Sequence, residues 1–272
     1  MSKVVTPEKN YEGKLIGAKT PFAVNEAFRT LRTNMFYTSK GEHCPVYAVT
    51  SCFANSGKSL VISNTAISFA QLNKKVLLID CDLRNSVIHK IFGVEKGLGI
   101  SDLLAGSDNS VDKSLRKTKY DNLQIITAGG TPPNPTELLA SERMAKLIEL
   151  LKNHFDIIFI DLPPIGLVTD AAVIADIVTG YAVVVRSGFD DRRELEQSIS
   201  AMEQMELKII GIILNDVNLR TTGKYGKYGR YGKYGRYGKY GKYQRYGKYQ
   251  KYGKYSTGYG GYGNNNYYTD NK

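Results

Sequence analysis

Residues 46–59 read VYAVTSCFANSGKS, and the fold follows from how this stretch is parsed. Residues 46–51 form a short, mostly apolar run of strand length. A loop of small and polar residues follows and closes on Gly57-Lys58-Ser59, and from Leu60 the pattern has helix length. Strand, tight loop ending in Gly-Lys-Ser, then helix is the order in which a chain builds a phosphate-binding loop. The first N–H groups of such a helix lack intrahelical acceptors, so with the helix dipole behind them they face anionic oxygens. Gly57 lets the backbone approach closely, and Asn55, Ser56, Gly57, Lys58, Ser59 and Leu60 are the candidate nucleotide contacts. Lys58 is placed to reach the β- and γ-phosphates of ATP, and the Ser59 hydroxyl to ligate Mg²⁺. One position departs from the general pattern: Cys52 stands where its first glycine would be.

Outward from this loop, KVLLID (75–80), LQIIT (123–127), FDIIFID (155–161), YAVVVR (181–186) and IIGIIL (209–214) are further short apolar runs. Each is nearly continuous rather than alternating, as expected of strands in a sheet covered on both faces. Segments 21–37, 57–73, 136–153 and 190–206 have helical length and patterning; in the first, Phe22, Ala23, Ala27, Phe28, Leu31 and Met35 recur near helical spacing. Strands and helices in alternation predict an α/β fold, a doubly wound and mainly parallel sheet with helices on both faces.

Ligands of open α/β sheets bind at the carboxyl ends of the strands. Asp80 and Asp82 end the second strand and, two apart, share a face. Asp161 ends FDIIFID, before Leu162-Pro163-Pro164. A lone aspartate there is often a helix cap; three beside a phosphate loop point to metal and phosphoryl chemistry. Lys58, Asp80, Asp82 and Asp161 are therefore the candidate catalytic residues, with Ser59, Asp82 and Asp161 on the metal.

Of the 272 residues, 37 are Lys or Arg and 26 are Asp or Glu, a net charge of +11. That charge belongs to one end: residues 220–272 hold 13 of the basic residues and one acid, a net of +12, which leaves −1 for residues 1–219. The basic character is thus no property of the fold. From Lys224 to Ser256 the chain is eleven triplets of Lys/Arg-Tyr-Gly, with Gln or Ser at a few third positions. Without proline it does not suit a collagen helix, and without aliphatic residues it cannot bury a core, so disorder is expected. The organisation expected is an arm at 1–20, a nucleotide-binding domain at 21–219 and a disordered tail at 220–272. Three cysteines without paired spacing suit a reducing compartment. The amino terminus carries no secretory pattern, and no run approaches the length of a membrane span. His43, His89 and His154 show no metal-ligand spacing.

Taken together, Lys58-Ser59, the Asp80-Cys-Asp82-Leu-Arg84 run and Asp161-Leu-Pro-Pro resemble the MinD/ParA-like P-loop ATPases. Within that group the chain resembles the bacterial tyrosine kinases of capsule and exopolysaccharide synthesis. The features are Asp80–Asn85 as second Walker motif, Gly130-Thr-Pro132-Pro133-Asn134-Pro135-Thr-Glu137, and a carboxyl-terminal tyrosine cluster. Phe53 stands where MinD and ParA proper carry an extra lysine. The resemblance implies an ATP- and Mg²⁺-dependent protein-tyrosine kinase that phosphorylates its own cluster between subunits. The implied acceptors are Tyr225, Tyr228, Tyr231, Tyr234, Tyr237, Tyr240, Tyr243, Tyr246, Tyr249, Tyr252, Tyr255, Tyr259, Tyr262, Tyr267 and Tyr268. It implies Asp80 as the group nearest the acceptor hydroxyl and Asn215 as a contact to the nucleotide base. Glu26, Arg29 and Arg32 match an E-x-x-R-x-x-R helix used in ring-like homo-oligomers, and at about 100° per residue they span one helix face. The resemblance further implies a cytoplasmic protein recruited to the inner membrane face by a transmembrane adaptor of the polysaccharide co-polymerase type, opposed by a tyrosine phosphatase. Two rival readings remain: a cargo-positioning ATPase, and a tail whose basic and aromatic residues bind nucleic acid or another polyanion. The body of the chain sets nucleic acid aside.

Overall fold

The computed structural model describes residues 11, 13–107, 110–166 and 169–218. The tail and its tyrosines, Tyr225 to Tyr268, lie outside the described residues, as do residues 1–10. Seven strands form one sheet in the order β3-β4-β2-β5-β1-β6-β7. They are β1 (Val46–Ser51), β2 (Val76–Asp80), β3 (Leu115–Lys117), β4 (Leu123–Ile126), β5 (Ile157–Asp161), β6 (Gly180–Arg186) and β7 (Ile209–Asn215). All pairings are parallel except β3 with β4. Strands β1, β2 and β5 are buried along their whole length. That is the reason their sequences are continuously apolar: both pleat faces meet helices.

Helix α1 (Phe22–Thr38) lies against α2 (Lys58–Ala70). The latter is buried on all sides, including Ser63, Asn64, Thr65 and Ser68. Its polar groups are paired: Ser63 and Thr65 donate to the carbonyls four residues back, and Asn64 accepts the Ile16 N–H at 2.7 Å. Ile16 is itself buried, so the described part of the amino-terminal arm is packed onto α2. Three short helices follow β2: α3 (Ile88–Phe92), α4 (Ile100–Ala105) and α5 (Val111–Ser114). Then come α6 (Pro135–Leu139), α7 (Glu142–Lys152), a 3₁₀ helix (Thr169–Ile177) and α8 (Arg192–Gln204), capped by the Asp191 carboxylate on the Arg193 N–H at 2.8 Å.

Four expectations need correction. Segment 136–153 is two helices, because Ser141 is extended (φ −72°, ψ 149°) and its hydroxyl turns back to the Leu138 carbonyl. The 209–214 run is no buried strand: β7 is the sheet edge, with Ile212 and Leu214 more than half exposed. On α1 only Met35 is buried while Phe22, Ala23 and Ala27 are exposed, so the apolar stripe is narrower than its spacing implied. The antiparallel β3 and the helices between β2 and β4 were not anticipated; their segments are too short for any periodicity to show.

Two clusters of buried side chains flank the sheet. In one, the Phe159 ring lies 5.9 Å from Tyr47 and 5.5 Å from Phe69, centroid to centroid, with no exposed surface. Replacing it by alanine removes those contacts and leaves a cavity, so Phe159→Ala is expected to lose about 3–5 kcal/mol in urea unfolding. A loss below about 1 kcal/mol would show that this ring is not in a closed core.

Candidate functional site: a phosphate loop facing three buried acids

The loop between β1 and α2 is tied down from within. The Ser51 hydroxyl donates to the Phe53 carbonyl at 2.6 Å, and Asn55 (φ 64°) and Gly57 (φ 88°) both have left-handed backbone. At Gly57 a side chain is barred twice, by that φ and because a Cβ would sit 2.3 Å from Asn215 Nδ2. The first helical hydrogen bond is Val61 N–H to Gly57 O, leaving the N–H groups of residues 57–60 without helical acceptors.

The three acids come from two neighbouring strands. Asp80 and Asp161 are register partners in β2 and β5. Lys58 Nζ lies 2.7 Å from Asp82 Oδ2, 3.3 Å from Ser59 Oγ and 3.8 Å from Asp161 Oδ1. Lys58, Ser59, Asp80, Asp82 and Asp161 are all buried. One oxygen of Asp80 accepts the Ile88 N–H at 3.1 Å, anchoring the start of α3, and its other oxygen has no partner. Neither oxygen of Asp161 has a hydrogen-bond partner. Asp82 instead accepts the Asn85 N–H at 2.9 Å on the oxygen away from Lys58.

Three carboxylates against one ammonium is an unbalanced set, and the protonation equilibria register it. Burial, then the Asp161 charge, push Asp80 well above the ordinary carboxylate range, with the Ile88 N–H opposing. Burial raises Asp161 from 3.8 to about 6, against the pull of Lys58 and of Ser59. Burial favours neutral Lys58, but Asp161 and Asp82 outweigh it and raise its pKa. The orphaned oxygens of Asp161 and Asp80 are what a hard divalent cation would satisfy. Among the described residues no three His, Cys, Asp or Glu side chains close around an ion by themselves. A metal there would complete its shell from Ser59, phosphate oxygens and water, as Mg²⁺ commonly does.

Other expected contacts fall as follows. Ser56 is 1% exposed, and its hydroxyl reaches Asp190 Oδ2 at 2.9 Å. The Asn215 amide donates one hydrogen to the Ser56 carbonyl at 3.0 Å, which leaves its second N–H and its Oδ1 for a base. Glu26 and Arg29 pair on the surface at 2.6 Å. Arg32 turns inward and donates to the Ser68 carbonyl at 2.6 Å, within its own subunit. Two residues were missed. Asp170 is fully buried and accepts Arg84 Nε at 3.2 Å and the Thr136 hydroxyl, joining the Asp80–Arg84 run to α6 and the 3₁₀ helix. Asp190 likewise ties the β6–α8 turn to the loop. No motif marks either; Asp170 stands in an apolar stretch and Asp190 in a polar one, and each has meaning through residues 86 and 134 positions away.

This fold and site define a P-loop nucleotide-binding protein, and the comparisons make the class narrower. A family model described as an AAA domain matches residues 48–187. MinD from Pyrococcus horikoshii, solved with Mg-ADP, shares the fold with a TM-score of 0.53 and 22% identity, over 63% of this chain and 70% of that one. The kinase domain of the Escherichia coli tyrosine kinase ETK superposes with a TM-score of 0.69 at 33% identity, over 79% of this chain and 89% of that one. The tyrosine-protein kinase CpsD of Streptococcus agalactiae is 42% identical over 208 residues, 75% of this chain and 89% of the relative. The tyrosine-protein kinase Wzc of Salmonella typhi is 37% identical over 215 residues, of which this chain spans only 30% of the relative's length. The chain belongs to the family of bacterial tyrosine-protein kinases.

The raised pKa of Asp161 sets a pH signature. Between 3.8 and about 6 the folded state keeps a proton that the unfolded chain releases. Stability therefore falls through this window as pH rises, and the full cost, on the order of 3 kcal/mol, is present above it. With metal chelated, Asp161→Asn is expected to melt above the parent protein at pH 8, the gap closing toward pH 4. A gap of equal size at both pH values would refute the assignment.

Proposed function

We propose that the chain is an ATP-dependent protein-tyrosine kinase that phosphorylates its own carboxyl-terminal tyrosines between subunits and thereby regulates capsular or exopolysaccharide synthesis. The observation that carries this is the single buried cluster of Lys58, Asp82 and Asp161 at the mouth of a phosphate loop. The acids around Lys58 keep its ammonium protonated, and once a cation offsets those acids it can turn from Asp82 to a phosphate oxygen. The N–H groups of residues 57–60 supply the remaining donors. Ser59, Asp82 and Asp161 would hold Mg²⁺, which when bound neutralises charge on the transferring phosphoryl group. Asp80 is the proposed acceptor of the tyrosine proton. A free phenol has a pKa near 10, and the raised affinity of Asp80 for protons suits that task once a cation held by Asp82 and Asp161 has displaced the proton that burial gives it. Because Asp80 has no exposed surface, a phenol reaches it only if the packing around it opens.

The partners proposed are a second copy of the chain, engaged in part through Glu26 and Arg29 on α1, a transmembrane adaptor with a cytoplasmic activating segment, and an opposing phosphatase. No helix among the described residues is long and apolar enough to cross a membrane, which suits recruitment by such an adaptor. At about −1.5 to −2 charges per phosphate, six to eight phosphates neutralise the +12 segment and more reverse its sign.

Incubation of the purified chain and adaptor segment with ATP·Mg²⁺ is expected to yield phosphotyrosine within residues 225–268. Lys58→Met should lower the rate by at least about a hundredfold, and Asp80→Asn should keep ATP binding while losing transfer. Phosphate-free tyrosines in the parent protein, with ATP hydrolysed, would instead favour a positioning ATPase. Repulsion between phosphorylated segments is proposed to loosen the homo-oligomer, so phosphorylated and dephosphorylated samples should differ in mass by light scattering; equal masses would overturn that step.

A further inference from the structure

Ser56 lies between the two left-handed residues of the loop, and nothing within the Gly-Lys-Ser motif holds the peptide plane that joins it to Gly57. Asn215 of the edge strand bonds that peptide directly, and Asp190 of the turn after β6 holds the Ser56 side chain beside it. Asn215, the last residue of β7, donates Nδ2–H to the Ser56 carbonyl at 3.0 Å. Asp190, in the turn after β6, accepts the Ser56 hydroxyl at 2.9 Å and the Arg186 N–H at 2.7 Å on the same oxygen. The Phe53 carbonyl, 3.1 Å from Ser56 Oγ, already receives the Ser51 hydroxyl. A carboxylate is also the stronger acceptor for the one available proton. The two holding residues are braced against each other: Ser187 N–H donates to the Asn215 carbonyl at 2.9 Å, and Arg186 pairs with Asp216 at 3.0 Å.

In a trans peptide the C=O and the following N–H point in opposite directions. Fixing the Ser56 carbonyl toward Asn215 therefore turns the Gly57 N–H away from Asn215. We propose that Asp190 and Asn215 are positioning residues for the nucleotide. Together they preset the Ser56–Gly57 peptide so that the Gly57 N–H already faces the phosphate site before ATP arrives. Neither residue needs to touch the nucleotide. The inference rests on the ATP-binding reading above and adds that the Ser56–Gly57 peptide is set by Asn215 of β7 and Asp190 of the turn after β6, beyond what the loop's own internal bonds fix.

The test measures the dissociation constant for ATP·Mg²⁺ and steady-state constants for ATP and for a tyrosine peptide, with the full chain and adaptor segment. Asp190→Ala and Asn215→Ala are each expected to weaken ATP binding about tenfold, the cost of one lost buried hydrogen bond. The peptide KM should stay within about twofold, and kcat should fall less than about threefold. Asp190→Asn keeps a carbonyl oxygen for both hydrogens and should recover ATP affinity to within about threefold of the parent. The double alanine variant should lose less than the product of the single losses, because both side chains hold one peptide. ATP affinity unchanged in Asn215→Ala, or Asp190→Asn as impaired as Asp190→Ala, overturns the inference. If Asp190→Ala does not fold, Asn215→Ala and Asp190→Asn decide the matter. A parent chain that binds no ATP overturns the functional reading itself, a result distinct from either.

Discussion

The structure turns on an excess of negative charge sealed at the carboxyl edge of a parallel sheet. Lys58 neutralises one of three buried carboxylates, which it meets at 2.7 Å, and stands farther from a second. The remaining charge has no counterpart among the described residues. A buried carboxylate without partners costs several kcal/mol or takes up a proton, and both Asp80 and Asp161 are displaced toward the protonated form. Such a site is stabilised by whatever brings positive charge into it. A divalent cation would do that, and the phosphate oxygens of a nucleotide bound with it would give Lys58 a second partner, so the cost of the buried acids and the proposed affinity for a metal-nucleotide have the same physical origin.

Topology creates this crowding. Strand β5 enters the sheet between β1 and β2, which makes Asp161 the register partner of Asp80 and places it beside Val49 of β1. Acids 81 positions apart thus become neighbours, and the loop that follows β1 opens beside both. Farther out, the strand order carries β6 and β7 to the other side of β1, and their ends reach back to Ser56 through Asp190 and Asn215. The loop is consequently gripped on one flank by the acids and on the other by the sheet edge. The chain leaves that edge toward residues 220–272, so the segment proposed as phosphoacceptor begins a few residues beyond a side chain that holds the phosphate loop.

Much of this was legible because long-range geometry was written locally. Apolar runs of five to seven residues read as strands here, and Gly57-Lys58-Ser59 after one of them fixes both loop and helix. Asp80, Asp82 and Asp161 were legible through their places at strand ends, which a parallel sheet is bound to bring to one side. Illegible features depend on what surrounds a segment. The 209–214 run is as apolar as its neighbours, but its place at the edge of the order leaves Ile212 and Leu214 exposed. The break at Ser141 arises from one extended residue in a stretch whose apolar spacing continues across it. Arg32 shares the spacing of Glu26 and Arg29 but spends its guanidinium on the Ser68 carbonyl, because at that turn α1 lies against α2.

The same reasoning explains how a loop lacking the first glycine of the general pattern keeps its shape. Cys52 is buried, and its pKa is raised by burial, so its thiol is a neutral packing group rather than a reactive one. Its carbonyl comes so near Gly166 that a Cβ there would lie 2.6 Å away, so the segment after β5 packs directly on the loop backbone. Backbone freedom that a glycine at position 52 would supply is unnecessary when the conformation is imposed from outside. Ser51 folds its hydroxyl onto Phe53, Gly166 crowds Cys52, and Asp190 with Asn215 fixes Ser56. A loop specified by its neighbours tolerates sequence change in itself and becomes sensitive to change in them; the proposal above accordingly puts determinants of nucleotide affinity in the turn after β6 and at the end of β7 as well as in the motif.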